Sequence, residues 1–313
     1  MKRFKNILLV HDRASRGRKS LARATDLALR NDAQLKLVEV IEAPTGSNRR
    51  VKTSAGEVDL LEVITRDRTE ALERAAEPLR HQGIEVATRI LFDTPFMAIV
   101  KEVEKGGHDL VMLTAEGKGG LREHLFGSTS RHLLRKCPCP VWVIRPARER
   151  QHVRVLAAVN PAEEHESGKA LDRQIIELSS SLARMHGGEL DVVHAWHAVP
   201  RSTRVSSRSL ARWNAEIMAA AEERLDDLLA QHDLAGLKVR RHLPGGPPGL
   251  KIAEVAAERR SDVVVMGTLS RSGLTGLLIG NTSETVLQHL DTSVLAVKPA
   301  GFQSPLAPAI DAP

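Results

Sequence analysis

Short, almost continuous apolar runs alternate with longer stretches of helical spacing along this chain, and the whole alternation occurs twice in the same order. The opening run from Asn6 to Asp12 has its counterpart in Arg154 to Asn160. Runs this short and this apolar predict strands buried on both faces. Ser20 to Arg30 and Leu171 to Met185 follow, with apolar residues recurring at helical spacing. Second strands are predicted at Leu35 to Val40 and Leu190 to Ala195. A helix and a strand come next in each half: Glu70 to Arg80 before Glu85 to Ile90, and Ala219 to Gln231 before Lys238 to His242. Fourth strands are His108 to Thr114 and Ser261 to Gly267. A Gly-rich loop, a short helix (Ser130 to Arg135, Ser283 to Leu290) and a last strand (Pro140 to Pro146, Thr292 to Pro299) close each half.

Strand, helix, strand, helix at this rhythm predicts βαβ units and parallel pairing. The fold class is therefore α/β: two tandem, doubly wound, Rossmann-like domains with five-stranded parallel sheets. Their expected bounds are residues 1–148 and 149–301, with a polar junction in residues 147–152 and a Pro- and Ala-rich, disordered tail over 302–313. Pro44 to Glu57 is polar and Gly-containing and is expected to be a long mobile loop, with Pro200 to Arg208 as its counterpart.

Hydrophobic residues make up 42% of the 313, enough for two cores, but aromatics are only 3% and Tyr is absent. The cores are therefore aliphatic. A formal charge of +6 permits contact with phosphates or acidic surfaces. Lys and Arg are interleaved with Asp and Glu, and few rings are available to stack on bases, which argues against a nucleic-acid partner. Cys137 and Cys139 flank a proline and lack the second pair that a zinc site needs. Cys139 reads as a buried structural thiol and Cys137 as incidental. The apolar run at Ile7 to Val10 is too short for a signal peptide or membrane span, so a cytoplasmic protein with no membrane partner is expected.

In an open parallel sheet, ligands sit at the carboxyl ends of the strands where the strand order reverses, here between the first and fourth strands. The loops after the fourth strands run from Thr114 to Thr129 and from Gly267 to Thr282. Both end in Gly and small polar residues before a helix, which suits a phosphate cradle of backbone N–H groups. The same residues suit an ordinary N-cap and tight turn. His11, His194 and His197 lack metal-site spacing, and the acids in Glu163 to Glu166 follow Pro161 at a helix start, where they favour the dipole. No catalytic residue and no metal ligand is assigned.

The pattern Gly-x2-Gly-x9-Gly-[Ser/Thr] after the fourth strand, with a trailing Cys-Pro-Val or similar strand, resembles that of the universal stress protein family. The resemblance runs twice, from Lys5 to Pro299, and the Gly280-Asn281-Thr282 ending is most similar to the tandem, E-type bacterial members. It implies an adenine nucleotide alpha hydrolase-like fold and a pocket for ATP or another adenine nucleotide, with Mg²⁺. The preferred pocket is in the second half: Asn160, Ala195, Met266, Gly267, Ser270, Gly280, Asn281 and Thr282. The weaker one comprises Asp12, Val40, Gly117, Gly127, Ser128 and Thr129. Both depart from the family pattern. Thr114 replaces a Gly and Glu116 adds an acid in the first half; Ser270 replaces a Gly and Asn160 the acid in the second.

The implied function is a stress-response module that binds ATP or senses a small-molecule ligand, without strong catalysis. A nucleotide-free interaction module with a hydrophobic ligand or protein partner, and a slow ATPase or nucleotide hydrolase, are the other classes. The apolar last strands (Val141, Val143, Val294, Leu295) are expected to pair as sheet edges, giving an intramolecular pseudo-dimer able to form a homodimer.

Overall fold

The computed structural model describes residues 4–14, 17–42, 50–53, 56–115, 126–145, 153–200, 206–268 and 280–306. These fall into two compact units, one built on residues 4–115 and 127–145, the other on 153–303.

The first unit runs β1 (Asn6–Val10), α1 (Gly17–Asn31), β2 (Gln34–Ile41), β3 (Arg50–Thr53), β4 (Gly56–Asp59), α2 (Leu60–His81), β5 (Val86–Phe92), α3 (Pro95–Gly106), β6 (Leu110–Thr114), α4 (Ser128–Lys136) and β7 (Val141–Ile144). Its sheet is parallel throughout, in the order β7-β6-β1-β2-β5. The second unit runs β8 (Arg154–Ala158), α5 (Glu166–Met185), β9 (Glu189–Val193), α6 (Ser207–Ala230), β10 (Lys238–His242), α7 (Pro248–Glu258), β11 (Val263–Gly267), α8 (Asn281–His289) and β12 (Ser293–Val297). Its order, β12-β11-β8-β9-β10, is the same.

The central strands are apolar because helices cover both faces. Ile7, Leu8 and Leu9 in β1, and Val263, Val264 and Val265 in β11, are fully buried. By contrast β5 alternates buried and exposed positions, as a half-covered strand does. The recurring Asp at the fourth strand has a mechanical role. Asp109 accepts the backbone N–H groups of Lys5 (2.6 Å) and Asn6 (3.1 Å), and Asp262 accepts that of Arg154 (2.8 Å). Each carboxylate thereby sets its first strand against its fourth. Local signals set the helix ends: Pro95 and Pro248 open α3 and α7, and Gly107 ends α3 in the left-handed region at φ 61°.

Residues of opposite charge occupy one register position in the two sheets, half-buried in the first and fully buried in the second. Lys36 pairs in register with Leu8, and Asp191 with Leu156. Lys36 Nζ lies 2.7 Å from Glu102, which also holds Arg89 at 3.1 Å. Asp191 instead accepts from His242 Nε2 (2.7 Å) and Arg259 Nε (3.0 Å). In each unit cations gather on a buried carboxylate, Glu102 or Asp191, as burial of a charge requires, with the signs exchanged between strand and helix.

Two expectations are corrected. Within the stretch expected to be a mobile loop, Arg50–Thr53 and Gly56–Asp59 pair as an antiparallel hairpin that leads directly into α2, whose first turn Asp59 caps by accepting the Leu61 N–H. The pairing is between residues only a few positions apart and needs no apolar pattern, so periodicity did not mark it. Cys137 is not incidental but fully buried, and its Sγ lies 3.6 Å from Cys139 Sγ. The helix end at Cys137 turns it inward with Leu133 and Leu134. No helix among the described residues is long and apolar enough to cross a membrane.

Candidate functional site

In each unit the strand order reverses beside the first strand: β1 lies between β2 and β6, and β8 between β9 and β11. The carboxyl tips at these reversals are where side chains and helix N-termini converge.

In the first unit they border a cleft of about 380 Å³. It brings together Asp12, Val40 and Thr129 from the sequence-predicted set, with His11, Glu39 and Arg68. Gly127 precedes α4 as its N-cap, and Ser128 is exposed in the first turn. Gly117 lies outside the described residues. Asp12 turns back on its own chain, accepting the Ala14 N–H at 2.9 Å. Glu39 is only 4% exposed; His11 Nδ1 lies 3.0 Å from one of its oxygens and Arg68 Nη1 3.6 Å from the other. Arg13 bonds Asp67 on α2 at 2.8 Å, which raises the guanidinium pKa. Periodicity assigned Glu39 no role; its one signal was a carboxylate inside the apolar run Leu37 to Val40.

In the second unit Asn160 follows β8, and its backbone N–H donates to both oxygens of Asp172, at 3.0 and 3.1 Å. The acid absent from the end of the first strand is thus supplied by helix α5, where Asp172 is buried among Ile175 and Ile176. An aspartate on an apolar helix face was the sequence signal for it. Ala195 follows β9, beside His194, whose Nδ1 lies 3.3 Å from the Val159 carbonyl. Met266 and Gly267 end β11, with Met266 in register with Ala158. Gly280 is the N-cap of α8 and donates its N–H to Thr268 O at 3.3 Å. Asn281 and Thr282 are exposed in the first turn. Ser270 lies outside the described residues. Behind this tip the buried Lys298 ammonium bonds the Thr268 hydroxyl and faces the Phe302 ring at 5.2 Å.

The N-cap residues of α4 and α8 are glycines, so neither helix start is capped by its own N-cap side chain among the described residues. The rim of the second site is Trp196, whose indole N–H donates to Leu243 O at 2.9 Å and whose ring leaves no room for a Cβ at Gly245. The turn between β10 and α7 holds the ring in this way.

The loss of glycine at Thr114 has a packing explanation. A Cβ on Gly267 would stand 2.7 Å from Leu171 Cδ2. In the first unit the matching strand residue is Thr114, whose hydroxyl lies 2.8 Å from that of Ser20 on α1, where α5 has the large, buried Ile175. Small strand residue with large helix residue in one unit is exchanged for a hydroxyl pair in the other. Among the described residues no group of three His, Cys, Asp or Glu side chains converges to hold a metal.

The profile of the Universal stress protein family matches residues 3–145 and again 153–298. Universal stress protein E of Escherichia coli K12 is 27% identical, over 98% of this chain and 98% of its own. Among solved structures, a functionally unassigned protein of Pseudomonas aeruginosa PAO1 is 25% identical with a TM-score of 0.75, covering 95% of this chain and 94% of that one. A universal stress protein from Archaeoglobus fulgidus DSM 4304 shares the fold at 18% identity and a TM-score of 0.62, covering 94% and 98%.

Proposed function

The chain belongs to the universal stress protein family, and from that premise we propose that it is a stress-response module that binds ATP in its second unit without strong catalysis. The observation that carries this reading is the uncapped first turn of α8, set at the tips of β8 and β11 by the Gly280–Thr268 hydrogen bond. N–H groups at a helix start, with the positive end of its dipole, attract phosphate. Asn281 and Thr282 add exposed side-chain donors there. Ala195 after β9, with Val159 and Met266 at the ends of β8 and β11, gives these tips an apolar character that suits a flat base. Mg²⁺ would accompany the phosphates as counter-charge; the protein's contribution is to orient the nucleotide.

Native purification with mass spectrometry of the co-purified small molecules, followed by calorimetry with ATP, tests the reading. Binding without turnover, lost in Gly280→Val, is expected. Absence of ATP binding at millimolar concentration overturns it, and turnover abolished by Gly280→Val would make the protein an enzyme instead.

A further inference from the structure

The first unit has a cleft in the matching place, with a different lining. Strand registers align the two units: Val10 pairs with Val38 in one and Ala158 with Val193 in the other. One position further on, His11 matches Val159 and Glu39 matches His194. The long helices align by their buried residues, Leu72, Ala76 and Leu79 against Ala221, Leu225 and Leu228, and by their last residues, His81 and Ala230. Arg68 then matches Ile217. An imidazole, a carboxylate and a guanidinium in the first unit thus stand where the second has a valine, a histidine turned to a backbone carbonyl, and an isoleucine.

This difference decides what each slot can accept. Glu39 is almost wholly buried and both its oxygens are engaged, one by the His11 imidazole at 3.0 Å and the other by the Arg68 guanidinium at 3.6 Å. Arg68 keeps 36% of its side-chain surface in water. A base entering between the tips of β1 and β2 would take that water away and return no charge, and desolvating an ion pair in this way is costly. Removing Arg68 from Glu39 instead would strand a buried carboxylate. Two ties also cross from α2 to the strand tips, Arg68 to Glu39 and Arg13 to Asp67. The position of Arg13 is held in the second unit by Pro161, which carries no charge.

We propose that His11, Glu39 and Arg68 are specificity-determining residues that close the first unit's cleft to a nucleobase, so that the chain has one base-binding slot, in the second unit. The inference rests on the reading of the second unit as the nucleotide site.

Calorimetry with ATP on the full chain tests it through stoichiometry, which a purely structural role would not move. Wild type is expected to bind one ATP per chain. Glu39→Ala/Arg68→Ala removes both charges together, so neither is left stranded, and should raise the stoichiometry to two. The reciprocal graft, His194→Glu/Ile217→Arg, should reduce it to none. Thermal melts check folding, and Glu39→Gln/Arg68→Met replaces the first double variant should it fail to fold. Two ATP per wild-type chain, a folded first-unit variant that still binds one, or undiminished binding by the graft each overturn the inference. Were wild type to bind none, the nucleotide reading itself would fall. The inference would then survive only if the first-unit variant gained a site, and would fall otherwise.

Discussion

The close approach of Leu171 to Gly267 makes a quantitative prediction about how this site tolerates change. Gly267→Thr alone places a branched side chain where a Cβ already comes within 2.7 Å of Leu171 Cδ2. Overpacking of this kind costs about 1–3 kcal/mol. Leu171→Ser alone removes a half-buried side chain from α5, and the lost burial is worth about 1–2 kcal/mol. In the double variant the added threonine side chain takes the space that Leu171 vacates, so the clash and the void offset each other. The penalties should therefore not add, and a coupling of about 1–3 kcal/mol in favour of the double variant is expected. Urea unfolding of the four proteins measures it. At an m-value of about 2 kcal/mol per M, each single change shifts the midpoint down by roughly 0.5–1.5 M and the double variant shifts it less than either. Fluorescence suits the assay, since Trp196 and Trp213 lie in the second unit. Penalties that sum within about 0.5 kcal/mol would show that the two residues do not compensate and refute the packing explanation.

Glu102→Gln should destabilise the first unit by about 1.5–3 kcal/mol, because the charge-assisted bonds from Lys36 and Arg89 are lost while both cations still reach water; Lys36→Met/Glu102→Leu should restore most of that, and equal losses in both variants would count against the charge argument. In the second unit Arg240 and Lys238 hold the Glu189 carboxyl at about 2, below its ordinary 4.5. A depressed carboxylate contributes stability above its ordinary value and loses it as pH falls towards the folded one. Burial pushes Asp191 up, but His242 and Arg259 more than offset it, so its net shift is also downward and acts with the same sign. Unfolding measured between pH 4.5 and 2 should accordingly show a loss of stability that is smaller in Glu189→Gln, and an unchanged slope would contradict the assignment. Cys137 and Cys139 should react slowly with a disulfide reagent under native conditions, since both are buried and the Cys139 pKa is raised by its Cys137 contact and by burial. Rapid labelling of both thiols in folded protein would show that this strand start opens readily.

Much of the architecture was legible in local pattern. Apolar runs at Ile7 to Leu9 and Val263 to Val265 are strands because only a doubly covered sheet accepts so many consecutive buried residues. The repeated Asp at 109 and 262 was likewise visible because it recurs at the same place in both halves, whereas the helices opening at Pro95 and Pro248 were not marked. The candidate tips at Asp12, Asn160, Gly127 and Gly280 followed from the duplicated order of elements together with the family resemblance. The hairpin before α2 and the inward turn of Cys137 were not legible, since neither leaves a periodic trace.

What the sequence alone determined is the duplication and, within each half, the alternation of buried strands with helices, properties of short segments that repeat. What only the tertiary structure decided is the chemistry inside each site. Ser20 meets Thr114 from 94 residues away, Asp172 reaches the Asn160 backbone from another helix, and Arg68 and His11 converge on Glu39 from two elements. Such pairings depend on side-chain volume and charge being balanced across packed elements, so a threonine for a glycine, or an acid for an imidazole, acquires its meaning only from the residue folded against it.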